Sequence, residues 1–230
     1  MPALRSAFPD YPEMFERLLR PHAPDAVLES IAVVDGALLP DPARLDAVLI
    51  TGSPVGVYDD EPWMAPLMDF IRWTASENVP QVGICFGHQA MAQALGGQVV
   101  KSEKGWGLGR HTYEVTGPTP WMQDNAPKTF ALAVSHQDQV ISPPPGAKTI
   151  ATSEFCAHAG LQYTQTPAIS FQGHPEFSDS FAAALYENRR GAPLSDDQVD
   201  TATASLSRPD DNDLLGQWIT SFYASSTTAR

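Results

Sequence analysis

Apolar positions along the chain follow two rhythms. Short runs rich in β-branched residues predict strands at Ser30–Val34, Ala47–Thr51, Gln81–Ile84 and from Val99-Val100, then at Arg110–Val115 and Thr129–Val134. Further short strands are expected at Gln139–Ile141, Lys148–Ser153, Leu161–Tyr163 and Ala168–Phe171, with Pro143-Pro144-Pro145-Gly146 as the turn between the first two. Helical spacing alternates with these runs. Tyr11–Arg20 opens with Pro12 and aligns Met14, Phe15, Leu18 and Leu19 on one face. A second helix runs to about Glu77 and carries Leu67, Phe70, Ile71 and Thr74, and a third spans Phe86–Leu95 and stops at Gly96-Gly97. Ser178 caps a helix through Arg190 that ends at Gly191, and Ser195 caps a weaker one. Asn212–Tyr223 closes the pattern with Leu214, Leu215, Trp218, Ile219 and Phe222, before a tail at 224–230 expected to fray. Strands alternating with helices predict an α/β sheet with helices on both faces. Residues 1–191 are expected to form this domain, and 192–230 a C-terminal helical extension packed on it. A second subunit, as in a homodimer, is the other surface that could cover the last helix.

The third strand and helix meet at Gly83-Ile84-Cys85-Phe86-Gly87. A sharp strand-to-helix turn lifts its central side chain above the sheet edge, and flanking glycines permit the close approach such a turn needs. The helix N-terminus behind Cys85 stabilises negative charge. Cys85 is therefore a candidate nucleophile, although a buried structural cysteine would fit this short pattern equally well.

A cysteine nucleophile needs a base, and the base an orienting group. Gln172-Gly173-His174-Pro175-Glu176-Phe177 supplies both. In extended backbone His174 and Glu176 point to one side, because side chains alternate with period two. Glu176 can then hold one imidazole nitrogen while the other faces Cys85.

These segments, together with Ser135-His136-Gln137-Asp138, resemble the three signature segments of class I (triad-type) glutamine amidotransferases. The likeness runs over about residues 11 to 190. It is closest to free-standing proteins similar to the amidotransferase domain of GMP synthase and to gamma-glutamyl peptidases. The resemblance implies a flavodoxin-like open sheet and catalytic roles for Cys85, His174 and Glu176. It implies an oxyanion hole from the amides of Ser53 (or Gly52) and Phe86, and substrate contacts from Gln89 and from the backbone around Ser135 and His136. It also sets Trp106 near the pocket, a core position being the equal alternative, and leaves His88 a structural role. Family members begin with a parallel strand, but residues 1–10, with Pro2 and Pro9, make a poor one. A start codon placed too late is the expectation, because losing a central strand leaves backbone unpaired.

Composition narrows the function classes. Net charge is −13, from 27 acidic and 14 basic residues, and no basic cluster exists beyond Arg189-Arg190, which argues against nucleic acid as a partner. The two cysteines imply no disulfide framework, and Cys156 is expected as a buried strand residue. His22, His111 and His158 lack metal-ligand spacing, so no metal is expected, and the chemistry the resemblance implies needs no cofactor. Without a secretory signal or an apolar run of ~20 residues, the chain reads as cytoplasmic, with no membrane partner. Asp59-Asp60-Glu61 is expected to cap the following helix, the alternative being a rim that selects cationic substrates.

Three functions stay open. One is a glutaminase subunit that passes ammonia to a separate synthase. Another is an autonomous γ-glutamyl peptidase or hydrolase acting on glutamine or a γ-glutamyl small molecule. The third is a catalytically silent glutamine-sensing protein, against which an intact triad argues.

Overall fold

The computed structural model describes residues 2–122 and 126–227. Helices α1 (Pro2–Ala7) and α2 (Tyr11–Leu19) open the chain, and the Asp10 side chain caps α2 by accepting from the Glu13 amide. Next come β1 (Val48–Ile50), α3 (Met64–Ser76), β2 (Gln81–Ile84) and α4 (Phe86–Ala94). The β-rich half holds β3 (Gln98–Lys101), β4 (Gly107–Val115), β5 (Thr129–His136), β6 (Asp138–Ser142), β7 (Ala147–Thr152), β8 (Gly160–Tyr163) and β9 (Ala168–Phe171). Helices α5 (Asp179–Glu187), α6 (Asp196–Ser205) and α7 (Asn212–Thr227) end it.

Seven strands form one mixed sheet in the order β1-β2-β9-β8-β7-β4-β5, and β3 pairs with β6 in a separate ribbon. Strands β1, β2 and β9 are mutually parallel, and the rest of the sheet is antiparallel. Beyond β9 the chain does not stop pairing. The His174 amide donates to the Ala133 carbonyl at 2.9 Å, so the sheet curls until the continuation of β9 meets β5.

Alternate residues of the strands enter opposite cores. Val82, Ile84, Ile169 and Phe171 join Phe15 and Leu19 of α2 and Leu215, Trp218 and Ile219 of α7. On the other face, Ala168, Leu161 and Tyr163 meet Leu67 and Ile71 of α3 and Ala90 and Met91 of α4. A third cluster, under α5 and α6, collects Phe177, Phe181, Tyr186 and Val199. Arg110 ties this end together through Asp179 and, at 3.6 Å, Asp210.

Some expectations fail. Ser30–Val34 is not a strand: Val33–Asp35 forms a 3-10 turn that Gly36 closes at φ 83°. A strand needs a neighbour for its backbone groups, and this segment runs outside the sheet, with Val34 57% exposed and the flanking Val27 and Leu38 more so. Cys156 is buried as expected but lies in the loop between β7 and β8, where its amide donates to Ser153 Oγ. The tail stays helical through Thr227, whose hydroxyl donates to the Tyr223 carbonyl; residues 228–230 lie outside the described residues.

Candidate active site

The carboxyl ends of the three parallel strands define one edge of the sheet, where open α/β folds gather ligands. Strand β1 delivers Gly52-Ser53 to this edge, β2 delivers Cys85, and β9 delivers Gln172 and His174. Cys85 sits between β2 and α4 with φ 53° and ψ −101°. A non-glycine residue held there is strained, and such strain persists only where the surroundings impose it. Here the Cys85 amide donates to the Phe171 carbonyl at 2.9 Å and the Gly87 amide to the Thr51 carbonyl at 3.2 Å. The two glycines are demanded by contact. A Cβ at Gly87 would lie 2.1 Å from the Ile50 carbonyl oxygen, and one at Gly83 would lie 2.6 Å from the Gly87 carbonyl. Among the described residues, neither the Ser53 nor the Phe86 amide donates a hydrogen bond, which leaves both for another acceptor.

His174 Nδ1 bonds Glu176 Oε1 at 2.7 Å, and both side chains are buried. Pro175 and Glu176 form a turn rather than the expected extended link, because His174 already bridges to β5 and the chain must leave that bridge toward α5. The turn still brings the carboxylate to the ring. The imidazole stacks on Phe177 at 3.9 Å between centroids and 7° between planes. A Cβ at Gly52 would lie 3.0 Å from His174 Cε1. Burial pulls the His174 pKa down, but negative charge on Glu176 and Cys85 outweighs it and holds the pKa above its ordinary value.

Gln172 was not among the residues expected at the site. Its Nε2 lies 3.6 Å from Cys85 Sγ, and its Oε1 accepts from Gln89 Nε2 at 3.2 Å. The signal was present, since Gln172, His174 and Glu176 fall at i, i+2 and i+4. Gln89 Nε2 also donates to the Asp138 carbonyl at 2.8 Å, so Gln89 links Gln172, beside Cys85, to the start of β6. His136 Nδ1 bonds the same carbonyl at 3.0 Å, while its Nε2 has no partner among the described residues; burial pulls its pKa down to about 3. His88 is fully buried, with Nδ1 2.8 Å from Ser170 Oγ, and burial likewise lowers its pKa to about 3.

Ser135 Oγ accepts from Arg189 at 2.6 Å, and the Arg189 guanidinium lies 5.3 Å from the centre of the Trp106 ring. The acidic loop meets the site through its neighbour: Tyr58 donates to Asp138 at 2.6 Å, while Asp59 accepts from the Gly56 amide at 2.8 Å. Asp59 thus braces the loop rather than capping α3, whose N-cap is Trp63.

Known proteins share the sequence pattern and the fold. The family model for glutamine amidotransferase class I matches residues 33–189. The chain is 29% identical over 240 residues to a glutamine amidotransferase-like protein of Schizosaccharomyces pombe, covering 96% of this chain and 94% of that one. It is 28% identical over 187 residues to gamma-glutamyl peptidase 4 of Arabidopsis thaliana, covering 78% and 74%. The crystal structure of a glutamine amidotransferase from Methylobacillus flagellatus superposes with a TM-score of 0.76 at 24% identity, over 93% of this chain and 88% of that one, which shows the shared fold. With its matched residues spanning β1 through α5, the chain belongs to the class I glutamine amidotransferase family.

Proposed function

We propose that this protein hydrolyses the γ-amide of glutamine, or of a γ-glutamyl compound, through a glutamyl-thioester on Cys85. The observation that carries the reading is the convergence, at one sheet edge, of a cysteine held at φ 53° and an imidazole bonded to a buried carboxylate at 2.7 Å. With Nδ1 occupied by Glu176, Nε2 of His174 is the nitrogen left to act. It takes the thiol proton as Cys85 Sγ bonds to the γ-carbon. The amides of Ser53 and Phe86 receive the oxygen of the tetrahedral intermediate, with Gly52 leaving room for the imidazole. The C–N bond breaks, His174 protonates the departing nitrogen, and a thioester remains. His174 then takes a proton from water as the water oxygen attacks. The C–S bond breaks, glutamate leaves and the thiol regains its proton. Gln172 orients the sulfur, and Gln89 orients Gln172. Ser135, His136 and Trp106 line the side on which the glutamyl group sits. The chemistry draws on side chains and backbone amides alone.

The test is glutamate release by the purified chain, supplied separately with glutamine and with γ-glutamyl peptides. Release is expected and should vanish in Cys85→Ala. Release from peptides marks an autonomous γ-glutamyl hydrolase, and release from glutamine alone directs the search to a separate synthase subunit. Release that survives in Cys85→Ala, or a folded chain that binds glutamine but cleaves nothing, would overturn the reading.

A further inference from the structure

Arg189 and Arg190 are adjacent in sequence but meet different surroundings. Arg190 reaches Glu187, Asp200 and Asp196 at 2.9, 2.7 and 3.4 Å. Arg189 turns the other way, toward the site edge, where it donates to Ser135 Oγ and lies over Trp106. Among the described residues no carboxylate pairs with it, in a chain with 27 acidic residues. Arg189, Ser135, Trp106 and Tyr11 are each only partly buried, so the guanidinium has open space beside it. Tyr11 brings this wall to the triad, with its hydroxyl 3.8 Å from where a Cβ on Gly52 would stand.

A guanidinium partly withdrawn from water without a counter-ion is unfavourable, and Arg presents a planar fork that matches a carboxylate. Ser135 occupies one nitrogen and Trp106 one face, which fixes the fork's direction and leaves further N–H groups free. We infer that Arg189 is the residue that binds a carboxylate of the substrate, with Ser135 and Trp106 holding its guanidinium in place. Burial lowers the Arg189 pKa, a cost that an incoming anion would offset. The inference rests on the γ-glutamyl reading of the site. A γ-glutamyl compound offers two such groups: the α-carboxylate of the glutamyl half, and the carboxylate of an amino acid that leaves.

The experiment separates these sources without turnover. Cys85→Ala protein is titrated calorimetrically with glutamine (α-carboxylate only), γ-glutamylglycine (both carboxylates) and 4-aminobutyramide (neither), then again with Arg189→Ala or Arg189→Lys added. Loss of a charge-assisted contact should weaken the recognised ligands about 10- to 100-fold, with Lys restoring part. A loss on both glutamine and γ-glutamylglycine, with 4-aminobutyramide unchanged, assigns the α-carboxylate. A loss on γ-glutamylglycine alone assigns the leaving group. Unchanged binding throughout, no binding of any ligand by folded Cys85→Ala protein, or an equal loss on 4-aminobutyramide would overturn the inference. Because these titrations use a chain without the nucleophile, an Arg189-dependent result would stand even if glutamate release failed.

Discussion

Three neighbours hold the His174 ring: Glu176 at 2.7 Å, the Phe177 ring at 3.9 Å and the backbone at Gly52. Removing the charge while keeping the shape isolates one of them. Glu176→Gln should lower kcat for glutamate release about 10²–10⁴-fold, the range of a general acid–base contribution, with KM little changed in steady-state assays. Gln172→Leu keeps the volume but removes the amide beside Cys85 Sγ. Losing one such bond, worth about 1 kcal/mol, should cost roughly five-fold in kcat/KM. A Gln172→Leu variant as active as the parent would show that the thiol is oriented by its elbow alone.

At the scale of elements, the junction of β2 and α4 is packed backbone against backbone. The helix approaches the end of β1 so closely that Gly87 has only a backbone carbonyl to displace. Backbone cannot rotate away as a flexible side chain can. Gly87→Ala should therefore cost at least the ~1–3 kcal/mol of ordinary overpacking, read as a fall in the urea midpoint. An unchanged midpoint would mean that α4 can slide along β1 without loss. Helix α6 lies at the other extreme. Its Ser195–Gln198 capping box is local and was legible from the Ser195 cap, whereas its docking depends on Val199 and Ala202 finding the cluster under β4 and β5.

For the whole molecule, the last helix is part of the main core. Trp218 is 1% exposed and packs edge-on against Trp121 and Phe130. Trp218→Ala should destabilise the entire chain by about 3–5 kcal/mol in one cooperative transition, so the C-terminal segment and the sheet should unfold together. Separate transitions would contradict a single folding unit. The buried histidines set a pH dependence. His88 and His136 have folded pKa values near 3, below the ~6.5 of an exposed histidine, so their stability is present above about pH 6.5. It is lost as the pH falls toward 3, because only the unfolded chain takes up the protons. At pH 5 each costs about 2 kcal/mol. His174 acts with the opposite sign. Its raised pKa contributes stability that is complete below about pH 6.5 and is lost as the pH rises toward its folded value. Melting temperature should thus peak near pH 6.5, and His136→Gln should flatten the acid limb.

The sequence by itself determined whatever depends on near neighbours. The period of the apolar residues located nine of the strands to within a few residues, and the Gly-x-Cys-x-Gly string announced a turn too tight for any other residue at its flanks. It also brought His174 and Glu176 together, though through a turn instead of an extended link. Tertiary structure alone decided the rest. Ser30–Val34 has the composition of a strand and is not one, because strand pairing is a property of two segments and no strand among the described residues pairs with it. The bridge from Ala133 to His174, the reach of Arg189 to Ser135 and Trp106, and the arrival of Trp218 against the sheet join residues far apart in the chain. Local periodicity carries no record of which distant segment will return to a given edge. That depends on the curl of the completed sheet and on the side chains that find room against it.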